Sequence, residues 1–465
     1  YGIYNVVAGS IAILGFFRNS LAITMQRFLN HYQGEGNFER QKQVFNIGVV
    51  CHWAIALFLL LLFLIFGYFL FNGILNIPTD RTFAAKIVYC CLIVNAFLTV
   101  VTAPYDATIT AHENMLFYSI VGIGEAFLKL AVALIIVRVD GDKLIVYAIL
   151  MMIIPLLETI VMRLYCKRMY AECSFHPTKE FNKPLAREMI SFTGWSLLGS
   201  STNVISNHGA NLALNHYFSA AINAVAGIAS QIQGLLAVVF TNLMKSLTPV
   251  IFKSEGTGNE KSMMEYSLLG CKYSSLLFAL LAVPVYIQAP FLLKIWLVEI
   301  PEWTVVFVRL QLVRALIEQL GASLINSLNA SNHIKEINIC SMVYNLVPII
   351  ILIALYSCGF KPYWHFIIMI TVMAMGQNIT MICFCKKYCG LRYIEYIKRV
   401  IFPVSAVTAL SYFLGCITTN LENEILQFVC CVITSGSAAL VVSYVTLEKR
   451  EKNKLKSIFP NFVRA

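Results

Sequence analysis

Thirteen long apolar stretches run the length of the chain, separated by short polar connections: 4–26, 44–71, 87–111, 116–137, 144–165, 189–216, 222–252, 266–291, 304–329, 337–357, 364–385, 400–418 and 425–447. Each approaches or exceeds the roughly 20 apolar residues that carry a helix across hydrocarbon. Runs such as Leu57 to Phe66 do not alternate as the roughly 10-residue strands of a transmembrane barrel do. The pattern therefore predicts an all-α integral membrane protein.

Composition agrees: of 465 residues, 58% are hydrophobic and 13% charged, against about a quarter charged in soluble domains. No sizeable domain outside the membrane fits between the stretches. The 14 cysteines fall mostly inside apolar runs, as at Cys90-Cys91 and Cys430-Cys431, and read as small buried hydrophobes rather than a disulfide framework.

The balance of 35 Lys+Arg against 24 Asp+Glu gives +11, and its distribution is topological. Alternate connections hold Arg27, Arg40 and Lys42; Arg163, Lys167, Arg168, Lys179, Lys183 and Arg187; Lys253 and Lys261; Lys335; and Lys386, Lys387, Arg392, Lys398 and Arg399. The tail adds Lys449, Arg450, Lys452, Lys454, Lys456 and Arg464, for 23 in all. The other connections hold six: Arg81, Lys86, Arg138, Lys143, Lys294 and Lys361. The excess places the first set and the C-terminus in the cytoplasm, with anionic membrane lipids as a secondary partner and no nucleic acid implied. Thirteen crossings then put residue 1 outside. With no initiating Met and no signal pattern, a first helix is expected to be missing, giving fourteen in the whole protein.

An internal repeat emerges from the turns. Gly34-Glu35-Gly36-Asn37 reappears as Glu255-Gly256-Thr257-Gly258-Asn259, about 222 residues on; Thr110-Ala111-His112-Glu113-Asn114 has a counterpart in Asn329-Ala330-Ser331-Asn332-His333, about 219 on. Six spans per offset, an even number, predict parallel six-helix repeats. The expected organisation is an N-lobe at 1–166 lacking its first helix, a cytoplasmic linker at 167–188 containing Pro177 and Pro184, a C-lobe at 189–386, and two extra helices with a basic tail at 387–465.

Charges in hydrocarbon are costly and normally face a bundle interior or a watery cavity. The candidates are Arg18, His52, Asp106, Glu125, Lys129, His208, Lys245, Lys272, Arg309, Arg314 and Glu318. Cations dominate, which suits an anionic head group such as phosphate; alternatively the cations nearer the interfaces snorkel out. Glu125 with Lys129 and Arg314 with Glu318 stand at i, i+4 spacing and can neutralise one another. Asn203, Asn207, Asn211 and Asn215 recur every four residues, a stripe that either glues helices by hydrogen bonds or lines a sugar-accommodating wall. Pro104, Pro155, Pro249, Pro284, Pro348 and Pro403 lie where they can kink spans. Cys383, Cys385 and Cys389 lack a nearby His, so neither metal nor cofactor is expected, and no P-loop or reactive cluster marks an ATP motor or an enzyme.

These residues carry a resemblance. Tyr1-Gly2-Ile3-Tyr4-Asn5-Val6-Val7, Gln26-Arg27-Phe28-Leu29 with Gly34-Glu35-Gly36-Asn37, Thr102-Ala103-Pro104-Tyr105, Ala111-His112-Glu113, and the Asn207 to Asn215 stripe followed by Ala224 to Gln233 resemble Wzx-type flippases of bacterial polysaccharide biosynthesis. These belong to the multidrug/oligosaccharidyl-lipid/polysaccharide exporter superfamily. The likeness implies two six-helix lobes around a central cavity plus two C-terminal helices in the bacterial inner membrane. It implies alternating-access flipping of an undecaprenyl-pyrophosphate-linked oligosaccharide, with polysaccharide polymerase machinery as a further partner. On that reading Arg18 and Lys129, with Lys245, Lys272 and Arg314, hold the pyrophosphate and the Asn stripe contacts sugar. Asp106, Glu125 or Glu318 would carry a coupling ion. The alternatives are a cation-coupled drug or metabolite exporter of the same superfamily and, more remotely, a membrane-embedded enzyme of glycan assembly.

Overall fold

A computed structural model describes residues 15–69, 71, 82–138, 140–176, 180–297 and 299–445, with the side chains of 15–19 and 220 excepted. The opening Tyr1 to Val7 motif, Arg81, Pro177, Lys179 and the six tail cations lie outside the described residues.

Every apolar stretch is helical where described, and no strand occurs among the described residues. In order the helices are α1 (Gly15–Gly34), α2 (Phe38–Phe69), α3 (Thr82–Ala111), α4 (Met115–Ile135), α5 (Lys143–Met169), α6 (Lys183–Tyr217) and α7 (Ala220–Gly256). They continue as α8 (Glu260–Ile287), α9 (Ala289–Trp296), α10 (Thr304–Gly321), α11 (Leu324–Ala330), α12 (Ile334–Ser357), α13 (Trp364–Tyr388), α14 (Tyr393–Asn420) and α15 (Glu424–Val445). Ten of these are long and apolar enough to span a membrane, three fewer than the thirteen expected. Of the three stretches outside that count, α1 is described from Gly15 on, while α6 carries the asparagine stripe and the ninth stretch breaks at Ala322-Ser323 into α10 and α11.

The repeat is visible in backbone detail. Gly36 and Gly258 both have φ of 70°, in the left-handed region where glycine carries no Cβ penalty. The next residues, Asn37 and Asn259, each accept a backbone N–H three positions on, from Arg40 and Ser262, at 3.1 Å. Glu113 and Asn332, 219 apart, share left-handed φ of 57° and 63°. The thiol of Cys166 reaches the Tyr105 carbonyl at 3.6 Å, and its counterpart Cys385 reaches Leu324 at 3.7 Å. Pro104 lies inside α3, and its counterpart is Ser323, where α10 gives way to α11. At the same register one copy carries a proline within a continuous helix and the other breaks the helix.

The chain forms two compact units: one from residues 1–204 with 252–258, the other from 205–251 with 259–465. In the first, Met25, Phe28, Phe45, Ile47, Ile109 and Met162 are fully buried. In the second, Phe278, Phe307, Phe366, Leu312 and Met369 centre the core. The exposed positions of α4 include Leu116, Ile120, Phe127 and Leu134, a surface suited to lipid rather than water.

Candidate functional site

In the second unit the intramembrane charge Arg314 has partners on three helices. It is 8% exposed, on α10, one turn before Glu318. Its Nε donates to Glu318 Oε1 at 2.8 Å, while one Nη donates to Asn207 Oδ1 of α6 at 3.2 Å and to Met373 Sδ of α13 at 3.4 Å. Three elements therefore converge on one guanidinium. Spacing alone explains the intrahelical pair, because residues four apart share a helix face. The asparagine supplies an acceptor where hydrocarbon supplies none.

Two further polar groups lie in this region and were not singled out by sequence. Gln311, one turn earlier on α10, is buried with Oε1 lacking a hydrogen-bond partner. His365, at the start of α13, is buried with Nδ1 lacking one, and it interacts electrostatically with Arg314. A His beside Trp364 in an apolar span was the available signal, but nothing in the sequence paired it with α10. The site can hold a neutralised carboxylate–guanidinium pair and present further donors and acceptors to a polar solute.

The other sequence-predicted residues distribute as follows. Lys129 and Glu125 pair with each other at 2.6 Å on the exposed face of α4, with half of the lysine side chain accessible. Lys272 of α8 is buried and Lys245 of α7 half-buried. Asp106 of α3 is half-buried. Arg18 stands in α1, but its side chain lies outside the described residues. Along α6, Asn203 and Asn215 are exposed while Asn207 and Asn211 are half-buried. Asn203 belongs to the first unit and the other three to the second, so the stripe does not serve one unit.

The first unit has its own polar system. A ladder joins α1 to α6: Ser20 to Ser200 at 3.1 Å, Thr24 to Thr193 at 2.9 Å, and Arg27 to Glu188 at 3.7 Å. Beyond it, His31 meets Glu35 at 3.1 Å and Glu255 at 2.5 Å, and Lys253 donates to Glu113 at 2.6 Å. In the connection after α5, Gln33 donates to His112 Nδ1 at 3.3 Å, which leaves the Nε2–H to donate to Glu172. Burial is the largest single influence and opposes ionisation of Glu172, but the hydrogen bond from His112, a backbone hydrogen bond and attraction to His112 together hold the carboxyl below its usual range. Asn46 fixes the same connection by donating to the Ser174 carbonyl at 3.0 Å and accepting from the His176 amide at 2.7 Å.

No family model matches the chain, and no curated protein matches it in sequence. Solved structures do match in fold. An outward-facing multidrug resistance MATE family transporter of the MOP superfamily superposes with a TM-score of 0.73 at 11% identity, over 83% of this chain and 87% of that one. The MATE multidrug transporter DinF-BH gives 0.68 at 15% identity over 84% and 90%. A MOP superfamily transporter from Pyrococcus furiosus, described as having reverse polarity of its binding pocket, gives 0.57 at 10% over 96% and 86%. At these identities the likeness is one of fold: the chain has the helical architecture of MATE transporters and is a multi-pass membrane protein.

Proposed function

We propose that the protein is a membrane transporter that exports a small organic solute by alternating access, coupled to a cation exchanged at Glu318. The observation that carries this reading is the buried Arg314–Glu318 pair with Asn207 on the same guanidinium. A guanidinium already matched by a carboxylate is not a bare anion trap, and protonating that carboxylate changes the net charge of the site by one. The multidrug transporters of like fold support the same substrate class.

A second reading, flipping of an undecaprenyl-pyrophosphate-linked oligosaccharide in the bacterial inner membrane, is favoured by a different observation: the burial of Lys272 within a span set richer in cations than in carboxylates. There Lys245, Lys272 and Arg314 of the second unit are the candidates for the pyrophosphate, Arg18 of the first unit is a further cation that flipping requires, and the C-terminus is cytoplasmic.

Proteoliposomes discriminate the two. Export predicts efflux of the fluorescent cation ethidium under a proton or sodium gradient, with coupling reduced at least ~10-fold in Glu318→Gln while membrane insertion is kept. Flipping predicts translocation of a fluorescent undecaprenyl-pyrophosphate oligosaccharide, abolished in Arg18→Ala. Gradient-driven efflux unchanged in Glu318→Gln would remove the carboxylate from coupling, and lipid translocation without efflux would replace the first reading by the second.

A further inference from the structure

Within the first unit, α1, α2 and α6 enclose a cavity of about 200 Å³ whose wall includes His52, Cys51, Met25 and Met189. His52 is 1% exposed. Its Nδ1 donates to the Gly48 carbonyl at 2.7 Å, which fixes the proton on that nitrogen and leaves Nε2 with a lone pair. That Nε2 is buried and has no hydrogen-bond partner. A buried polar atom without a partner is uncommon and calls for a ligand. Metal-binding histidines have this arrangement, one ring N–H anchored on a backbone carbonyl and the other nitrogen free to coordinate.

The surrounding groups define the class of ligand. Met25 Sδ packs directly on Gly48, the residue that anchors His52; any side chain at 48 would displace it. Met25 and Met189 are 1% and 4% exposed, so their thioethers are held in the core rather than free to swing into solvent. The hydroxyls of Thr24 and Thr193 also line the cavity but donate to, or accept from, each other and their own helices. No trio of His, Cys, Asp and Glu is placed to hold a metal among the described residues, and the nearest charges along the helices, Arg27 and Glu188, are engaged together at 3.7 Å. Neutral imidazole and thioether disfavour a hard cation such as Mg²⁺ or Ca²⁺ and suit a soft monovalent one.

We infer that this cavity is a site for a soft monovalent metal ion, Cu(I) or Ag(I), bound by His52 Nε2 and the thioethers of Met25 and Met189, with the Cys51 thiol on the same wall. The inference is independent of what the protein transports. It is tested on the purified chain with Cu(I) supplied as its acetonitrile complex at one equivalent, read by copper X-ray absorption and by competition with a chromogenic chelator. The wild type is expected to show a mixed nitrogen and sulfur shell. His52→Gln should lose the nitrogen scatterer and weaken binding at least ~10-fold, and Met25→Leu, which conserves volume, should also weaken it. Thermal unfolding checks that each variant is folded; should His52→Gln fail, Met25→Leu decides. An all-sulfur shell in the wild type, which the other cysteines could supply, or unchanged affinity in Met25→Leu, overturns the assignment.

Discussion

Glu172 shows how a single side chain outside the spans makes the protein sensitive to acid. Its folded carboxyl ionises more readily than the unfolded one, because the His112 N–H, a backbone hydrogen bond and attraction to His112 together outweigh burial, the largest single influence. A depressed carboxyl stabilises the fold above its unfolded pKa of 4.5, and that contribution is lost as pH falls through the lower folded value. Glu172→Gln should therefore unfold at lower temperature than wild type at pH 7, and the two curves should converge under acid; a gap that stays constant to pH 3 would assign the difference to packing. Nothing in the sequence announced this pair, since His112 and Glu172 are 60 positions apart and meet only because α3 and α5 pack together. Arg314 with Glu318 was legible for the opposite reason: their separation is a property of one helix.

Among elements, the turns are where sequence and structure correspond most closely. A missing Cβ on Gly34 faces the Lys253 carbonyl, and one on Gly256 faces the His31 carbonyl. These are the same two positions exchanged by the 222-residue offset, so the ends of α1 and α7 pack against one another as repeat-related partners inside the first unit. Backbone this close leaves room only for glycine. Gly256→Ala is expected to force the turns apart at a cost of about 1–3 kcal/mol, lowering the unfolding temperature, whereas alanine at Gly124, with open space around it, should not; equal effects at both sites would sink the packing argument. The turn glycines and cap asparagines could be read directly because few residues satisfy those geometries. The α1–α6 ladder could not, because Ser and Thr are equally at home bonding their own helix, as Thr24 does to Ser20. The asparagine stripe was half legible. A four-residue step drifts about 40° per turn on a 3.6-residue helix, so residues 203 to 215 wrap around α6, and Asn207 is the one placed to accept from Arg314 at 3.2 Å.

For the molecule as a whole, hydropathy marked thirteen stretches where ten described helices are apolar enough to cross, and the others include α6 and α10, which carry Asn207, Arg314 and Glu318. A membrane helix that builds a polar site must surrender hydrophobicity, so the weakest spans by composition are the ones to inspect first. Orientation rests on another signal, the excess of 23 cations over six between alternate connections. It can be read with two native thiols, both exposed: Cys358, at the end of α12 on the connection carrying Lys361, and Cys383, near the end of α13 beside Lys386 and Lys387. If the cation-rich face is cytoplasmic, a membrane-impermeant maleimide applied to intact spheroplasts should modify Cys358, and Cys383 should react only after permeabilisation, both mapped by peptide mass. Because one span separates the two, reaction of Cys383 alone would invert every connection, and reaction of both without permeabilisation would mean that α13 does not cross.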